Sequence, residues 1–466
     1  MSRLRTTTAL TLARTAGILS RRLGFGGGTS LPGQLARAID PAILSNFCHA
    51  LPAGVILIAG TNGKTTTSRM LAAILEQADV SLLYNRAGAN LLPGLTTVAI
   101  NNADWRGLPR ASCALFETDE AALPQAIAET QPRLVVLLNL FRDQLDRYGE
   151  IDTIARHWRQ ALQQLPATST VVFNADDPAI ADIVHQLPVR TVAFGLADER
   201  HAVGAATHIA DSQFCHTCGH RYQYQRIFYA HIGHYVCPQC GHRRPDPVIV
   251  LTVLEPDGLE GSDLQIDHPN GQLRFHLPLP GLYNAQNALA ATAAALASGI
   301  DTPTICTALS NIQAAFGRIE RITAGSHGPT MLIALIKNPV GASETVRMFT
   351  TATTRPLHLL IAINDRFADG TDVSWLWDAD FEPLAQRVAH VTVSGTRAAD
   401  MALRLDYAGV AAEAITVIDD LPPALDTALA ALPPGETLAI LPTYTAMLEL
   451  RSEITRRGWA RPFWEA

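Results

Sequence analysis

Residues 55–78 read VILIAGTNGKTTTSRMLAAILEQA, and the rest of the chain can be interpreted from this stretch. Val55–Ala59 is a short apolar run rich in β-branched residues, as in a buried strand. From Ser68 onward the apolar residues recur at helical spacing. Gly60 and Gly63 lie between these two segments, where glycine permits a tight turn. The stretch therefore predicts a strand, a glycine-rich turn and a helix.

The turn has the chemistry of a phosphate-binding loop. The start of a helix attracts anions, Lys64 can neutralise phosphate oxygens, and the Thr65 hydroxyl can ligate Mg²⁺. The full P-loop pattern would place its first glycine at Ile58, so the spacing departs from it, and an ordinary Gly-Asn turn is the alternative. We expect nucleotide contacts from the whole loop: Gly60, Thr61, Asn62, Gly63, Lys64, Thr65 and Thr66.

Strand-like and helical segments alternate along the rest of the chain, which predicts an α/β fold with a parallel sheet. Buried strands are expected at Leu134–Leu138 and Thr170–Phe173, and five more strand-like runs follow residue 330. We divide the chain into a basic helical extension (1–50), a central ATP-binding domain (51–316) and a smaller C-terminal Rossmann-like α/β domain (317–466).

Two CxxC pairs separated by 18 residues predict a metal site in an inserted segment at about 211–246. Paired CxxC turns bring four thiolates to one tetrahedral ion, so we expect structural Zn²⁺ on Cys215, Cys218, Cys237 and Cys240. Four reduced thiols without metal are the alternative. We interpret the neighbouring histidines as surface residues: His216, His220, His231, His234 and His242.

Composition excludes several classes of protein. Of 466 residues, 48% are hydrophobic and 17% charged, which excludes a disordered chain, and the net charge of −7 gives no case for nucleic-acid binding. No stretch has the composition of a membrane span. Before Asp40 there are arginines but no acids, so the N-terminal segment is either a transit peptide or, as we favour, an amphipathic helix that ends at the Gly24–Gly28 breaker.

Polar residues after the predicted strands are the remaining site candidates. Glu117 ends an apolar run and is either a second Mg²⁺ ligand or an acid at a helix start. Asn139 and Asp143 follow a predicted strand, where side chains of a parallel sheet face its ligand crevice. Asn284 and Asn287 open an Ala-rich helix, which Asn284 could simply cap.

Two further candidates lie near and within the C-terminal domain. Arg318 stands at the predicted domain junction, where it could reach a bound nucleotide. Five aspartates cluster after a predicted strand, and a solvated acidic loop without a specific function is the alternative interpretation: Asp365, Asp369, Asp372, Asp378 and Asp380.

The ordered segments GTNGKTT, FETDEA, NLFRDQLDRYGEID, GLYNAQNALAA and FGRIE resemble the Mur ligase superfamily of ATP-dependent amide-forming ligases. Four features resemble its MurT-type branch, the ligase subunits of lipid II isoglutaminyl synthase. These are the RRLGFGGGTSLPG start, the four-cysteine insertion, KNPVGASE, and NDRFADGTDVSWLWD with the late LPTYTAM.

The resemblance implies a function. It implies amidation of the D-glutamate α-carboxylate of lipid II through an acyl phosphate, with ATP and Mg²⁺. It also implies a GatD-like glutaminase partner that supplies ammonia, in a cytoplasmic heterodimer at the inner face of the membrane. By resemblance, Lys64 is catalytic and Thr65 and Glu117 hold Mg²⁺, and Asp365 completes the partner's Cys–His pair.

The same resemblance assigns nucleotide contacts outside the loop. Asn284 and Asn287 would face the adenine, and Arg318 would face the ribose. Two departures from most Mur ligases stand out: Gln144 replaces a histidine, and Lys337 replaces an aspartate before Asn-Pro. Both suit the MurT-type branch.

Two other functions remain open from sequence alone. One is a stand-alone amino-acid ligase of folylpolyglutamate type, which needs neither a partner nor the cysteine segment. The other is a non-catalytic zinc-ribbon interaction module. The intact phosphate loop and the acidic net charge disfavour the second.

Overall fold

A computed structural model describes residues 2–22, 30–85, 89–142, 150–203, 211–312, 318–325 and 328–461. These residues form two large sheets, each covered by helices on both faces, and one separate hairpin. The α/β fold expected from the sequence is confirmed.

The first sheet and the hairpin are built from eleven strands of the described chain. They are β1 (Val55–Ala59), β2 (Leu82–Tyr84), β3 (Cys113–Glu117), β4 (Leu134–Leu137), β5 (Thr170–Asn174), β6 (Arg190–Leu196), β7 (Gln223–Tyr229), β8 (Ile232–Val236), β9 (Ile249–Asp257), β10 (Gly261–His268) and β11 (Gly271–Leu277). The sheet order is β11-β10-β9-β6-β5-β4-β1-β3-β2, and β7 pairs with β8. Strands β1 to β6 and β9 run parallel to one another, while β10 and β11 are added at one edge by antiparallel pairing.

The second sheet belongs to the C-terminal part of the chain. Its strands are β12 (Arg318–Thr323), β13 (Thr330–Ala334), β14 (Leu357–Ala362), β15 (Val388–Ser394), β16 (Ile415–Val417) and β17 (Thr437–Pro442). They lie in the order β12-β13-β17-β14-β15-β16, and only β12 is antiparallel to its neighbour.

The helices connect the strands and cover both sheets. They are α1 (Ser2–Arg22), α2 (Leu31–Ile39), α3 (Ile43–His49), α4 (Lys64–Gln77), α5 (Leu92–Asn102), α6 (Leu123–Thr130), α7 (Glu150–Leu162), α8 (Pro178–Val184), α9 (Leu282–Ala297), α10 (Thr302–Ser310), α11 (Pro339–Ala352), α12 (Ala398–Tyr407), α13 (Leu421–Ala430) and α14 (Tyr444–Arg456). None of these helices is long and apolar enough to cross a lipid bilayer.

The parallel register positions the site. Strand β1 lies between β3 and β4, with Ile56 opposite both Leu115 and Leu134. All residues of β1 are buried, as expected for a central strand covered on both faces. The segments that follow β1, β3 and β4 therefore meet at one edge of the sheet, where ligands of open α/β sheets bind.

The basic N-terminal segment is helical and packs on the first domain. Helix α1 contacts α2 and α5, and Arg14 donates to the carbonyl oxygen of Ile100 (3.0 Å). Arg37 forms an ion pair with Glu129 (2.6 Å). The helix expected here is confirmed, and the glycines expected to end it lie outside the described residues.

Candidate functional site

The phosphate loop follows β1 directly and ends in the first turn of α4. Gly63 is the N-cap of α4, with φ of 86° in the left-handed region that favours glycine. A Cβ atom at Gly63 would lie 2.2 Å from Oδ1 of Asn287, so this position has no room for a side chain. The N-terminus of α4 adds partial positive charge to the turn. The strand, turn and helix expected from the sequence are confirmed.

Lys64 begins α4, and its ammonium group lies over the loop. Nζ donates to the carbonyl oxygens of Gly60 (2.5 Å) and Thr61 (3.2 Å) and pairs with Oε1 of Glu120 (3.1 Å). Lys64 is only 8% exposed, and a buried ammonium group is tolerated when it is paired in this way. The loop therefore holds one fixed positive charge beside its backbone.

Thr65 and Glu117, the two predicted magnesium ligands, lie side by side. Oγ1 of Thr65 donates to Oε1 of Glu117 at 3.2 Å. Asn85 holds Glu117 in place: it accepts from the Glu117 backbone N–H and donates to its carbonyl oxygen, each at 2.9 Å. Hydroxyl and carboxylate oxygens are suitable ligands for Mg²⁺, so these donors fit that ion.

The segment after β4 holds the loop from the side. Asn139 accepts from the backbone N–H of Asn62 (2.8 Å) and donates to its carbonyl oxygen (3.1 Å). Thr61 exchanges two hydrogen bonds with the backbone of Phe141. Asp143 and Gln144, singled out from the sequence, lie outside the described residues.

The two asparagines of α9 occupy different environments. Oδ1 of Asn287 accepts from the Thr67 hydroxyl (3.3 Å), so Asn287 lies against the phosphate loop. Asn284 donates to the carbonyl oxygen of Pro280 at 2.7 Å. The N-cap of α9 is Gly281, so the interpretation of Asn284 as the cap is wrong. Asn284 is buried one turn from Asn287, and its hydrogen bond is made within its own segment.

The C-terminal domain reaches the loop at the start of α11. Asn338 caps α11 by accepting from the Gly341 N–H (2.8 Å), and its Nδ2 donates to Oδ1 of Asn62 (2.9 Å). Lys337 is half-buried beside it. Arg318 begins β12, but its side chain lies outside the described residues.

Asp365 follows β14, at the edge of a separate cleft in the C-terminal domain. Its carboxylate accepts from the Thr396 hydroxyl (2.8 Å) and pairs with Nε of Arg397 (2.7 Å). These two donors lower the pKa of Asp365, so it is ionised at neutral pH. The cleft has a volume of about 460 Å³, and Asn364 and Arg366 contribute to its lining.

The four cysteines of the inserted segment come together. All four Sγ atoms lie within 4.8 Å of one another, with 3.5 Å between Cys215 and Cys240 and between Cys218 and Cys237. A tetrahedral zinc ion with Zn–S bonds of ~2.3 Å needs sulfur atoms roughly 3.8 Å apart, so the cluster fits this ion. Burial alone would raise the pKa of the Cys215 thiol. Hydrogen bonds from the backbone N–H groups of Cys218 and Thr217 outweigh this effect and lower the pKa to about 6.

His231 lies in the core, at the turn between β7 and β8. It is fully buried, with Nε2 3.2 Å from Oδ2 of Asp177 and its ring 4.6 Å from that of Phe141. Burial alone would lower the pKa of His231. Attraction to the Asp177 carboxylate outweighs this effect and raises the pKa. The interpretation of His231 as a surface residue is wrong, because the hairpin turn packs beside the segment that follows β4. Among the other histidines of this segment, His216 and His220 are exposed, whereas His234 and His242 are half-buried.

Two residues that support the site were not expected from the sequence. Glu120 pairs with Lys64, and Asn85 holds Glu117. The signal for Glu120 was its place in FETDEA, directly after a strand. Nothing in the sequence marks Asn85, because its role depends on the pairing of β2 with β3.

The loop after β1 lies at the carboxyl edge of a parallel sheet that is joined to a second α/β domain, which is the architecture of the Mur-type ligases. The Mur ligase middle-domain family matches residues 58–235. The crystal structure of MurF from Acinetobacter baumannii matches with a TM-score of 0.66 at 19% identity, over 91% of this chain and 80% of that chain. That likeness shows the fold alone. The expected Mur ligase fold is confirmed.

Three further matches identify the branch. The MurT ligase C-terminal family matches residues 335–447. Subunit MurT of the glutamine-hydrolyzing lipid II isoglutaminyl synthase of Streptococcus pneumoniae is 35% identical, over 98% of this chain and 99% of that protein. The MurT subunit of Staphylococcus aureus strain COL is 32% identical, over 96% of this chain and 98% of that protein. The chain therefore belongs to the MurT family of ATP-dependent ligases.

Proposed function

We propose that the chain is the ligase subunit of a lipid II isoglutaminyl synthase. It uses ATP to convert the α-carboxylate of D-glutamate in lipid II to the amide, giving D-isoglutamine for peptidoglycan synthesis. The observation that carries this proposal is the full-length similarity to two MurT subunits, together with the intact phosphate loop around Lys64.

The chemistry explains the need for ATP. Hydroxide is a poor leaving group, so ammonia cannot displace it from a carboxylate. Transfer of the γ-phosphoryl group to the carboxylate forms an acyl phosphate, from which phosphate leaves when ammonia attacks. Fixed positive charge stabilises the transferring phosphoryl group, and Lys64 supplies it here.

The described residues suit this role. The loop from Gly60 to Thr66 would bind the phosphates, and Thr65 and Glu117 would hold Mg²⁺. When bound, that ion neutralises charge on the phosphate oxygens. We assign the adenine to Asn284 and Asn287 and the ribose to Arg318, on family resemblance.

The four-cysteine cluster would hold a structural Zn²⁺ ion. Four thiolates fill a tetrahedral coordination sphere, so no position is open for a substrate or water. We therefore assign this site to folding of the inserted segment, without a part in the amidation.

The ammonia would come from a GatD-like glutaminase subunit in a heterodimer. Asp365, ionised and partly exposed beside a cleft, is our candidate for the acid that orients the partner's histidine. We place the complex in the cytoplasm, at the inner face of the membrane where lipid II is anchored. No nucleic-acid partner is proposed.

The decisive experiment combines the chain with its glutaminase partner. Co-purification is expected, followed by glutamine- and ATP-dependent amidation of a lipid carrying a D-glutamate muropeptide. Asp365→Asn should lower glutamine hydrolysis and leave amidation with added ammonium chloride intact. Equal activity with free amino acids and no glutaminase would instead favour a stand-alone ligase of folylpolyglutamate type.

A further inference from the structure

A small cavity lies between the two domains, apart from the phosphate loop. Its volume is about 80 Å³, enough for more than one molecule the size of water. The first domain contributes the turn after β7, at Tyr229 and Ala230. The C-terminal domain contributes α11, through Ser343 and Glu344, and the loop at Asp380.

The cavity is lined by two carboxylates, Glu344 and Asp380, and the charge of Glu344 is only weakly compensated. Glu344 is 8% exposed, and its carboxylate accepts no hydrogen bond from any residue in the described part of the chain. Its nearest cation is Arg347, with Nε 3.7 Å away, and that side chain also donates to the carbonyl oxygen of Phe228 (2.5 Å). Asp380 lines the same cavity. Burial raises the pKa of Glu344 to about 7, although Arg347 opposes this shift, and Asp380 adds to it.

Two short chains of contacts connect the cavity with the phosphate loop. The Tyr229 hydroxyl donates to Oε1 of Gln286, which precedes Asn287, the residue that contacts Gly63 and Thr67. On the other side, Val340 lines the cavity two residues after Asn338, which bonds to Asn62. The cavity and the phosphate loop are therefore linked through neighbouring residues of α9 and α11.

We propose that this cavity receives ammonium on its way to the acyl phosphate, with Glu344 as the group that accepts its proton. The inference rests on the proposed function. Ammonium is a small cation with four N–H donors, and the buried carboxylate of Glu344 and the half-buried carboxylate of Asp380 match it in charge and hydrogen bonding.

The proton has to leave because ammonium has no lone pair. One N–H bond breaks, its proton passes to an Oε atom of Glu344, and neutral ammonia keeps the electron pair that forms the new C–N bond. Glu344 later releases the proton to solvent. A buried carboxyl group whose pKa lies near neutrality is a suitable acceptor for this step. Among the described residues, Arg347, Asp380 and Tyr229 are the titratable groups that line the cavity with Glu344, and Asp380 in turn interacts with Glu382.

The test uses Glu344→Gln in the complex with its glutaminase subunit. At pH 7 we expect amide formation with glutamine to fall about a hundredfold, the usual size of a general-base contribution, with glutamine hydrolysis unchanged. The ratio of glutamine hydrolysed to amide formed rises accordingly. At pH 9, with ammonium chloride as nitrogen source, free ammonia needs no acceptor, so the variant should approach wild-type rates.

Controls separate this inference from simpler explanations. Glu413→Gln, an exposed site, should match the wild type at both pH values. Asp380→Asn should show a weaker form of the Glu344→Gln effect, and it replaces that variant if it fails to fold. An unchanged ratio, or a loss that pH 9 does not rescue, would overturn the inference. If K⁺ stimulated amide formation and ammonium had no effect of its own, the cavity would be a general cation site. That result would also overturn the inference. Absence of amidation by the wild-type complex would overturn the proposed function.

Discussion

Nδ2 of Asn338 donates a hydrogen bond to Oδ1 of Asn62 at 2.9 Å, which joins the C-terminal domain to the phosphate loop. Asn338 also caps α11, so one side chain fixes the start of that helix against the loop. The domain that would carry the partner-facing Asp365 is thereby tied to the residues that would bind ATP.

Substitution of Asn338 should separate its two roles. Asn338→Ala removes the cap and the contact, so the free energy of unfolding should fall by about 1 kcal/mol. Asn338→Ser keeps a capping oxygen but cannot reach Asn62, so stability should stay near that of the wild type. Both variants should lose about tenfold in kcat/KM for ATP, the equivalent of one hydrogen bond. Urea unfolding and steady-state kinetics measure the two effects, and a fully active Ser variant would rule out the coupling.

Lys64 should be indispensable for ATP turnover. Lys64→Ala removes the fixed charge of the loop, and we expect at least a ~100-fold loss of turnover with an intact circular dichroism spectrum. Glu120→Gln leaves the two carbonyl contacts of Lys64 in place, so its loss should be about tenfold or less. Turnover that survives in Lys64→Ala would remove the loop from the mechanism.

Local patterns predicted the loop and its flanking elements well. Val55–Ala59 forms the expected strand, and the helix after it begins at Lys64, because hydrophobic periodicity and turn residues act over short stretches. The two CxxC turns were equally predictable, since each turn fixes the direction of its own thiolates.

Long-range contacts were not predictable in the same way. Glu120 meets Lys64 across 56 residues, and the buried position of His231 depends on where a hairpin turn packs against Asp177. Such contacts depend on the order of the strands in the sheet, which no local sequence pattern indicates. The antiparallel strands β10 and β11 were missed for the same reason.

Loss of one cysteine ligand should unfold the inserted segment. Structural zinc contributes ~10 kcal/mol or more to the folding of small zinc modules, so Cys215→Ser should lower both the zinc content and the melting temperature. Cys306→Ser, a half-buried cysteine away from the cluster, is the matched control and should retain one zinc per chain. Metal analysis and thermal unfolding report the two quantities. A melting temperature that does not change would show that the cluster has no structural role.

The buried carboxyl group of Glu344 should make stability depend on pH. Burial raises its pKa from an ordinary 4.5 to about 7, so between these values the folded state binds more protons than the unfolded state. The stability associated with the neutral form is present at low pH and is lost as the pH rises through about 7. Glu344→Gln stays neutral, so its advantage over the wild type should be small at pH 5 and reach on the order of 2–3 kcal/mol at pH 8.

Urea unfolding at both pH values measures that difference, with Glu413→Gln as the exposed control that should follow the wild type at each pH. A Glu344→Gln variant that is equally stabilised at pH 5 and pH 8 would show that packing, and not ionisation, accounts for the change. A variant stabilised only at pH 8 would establish that the wild type carries a costly buried charge at this site. A fold retains such a charge when function requires it, which is what the proposed proton transfer from ammonium would explain.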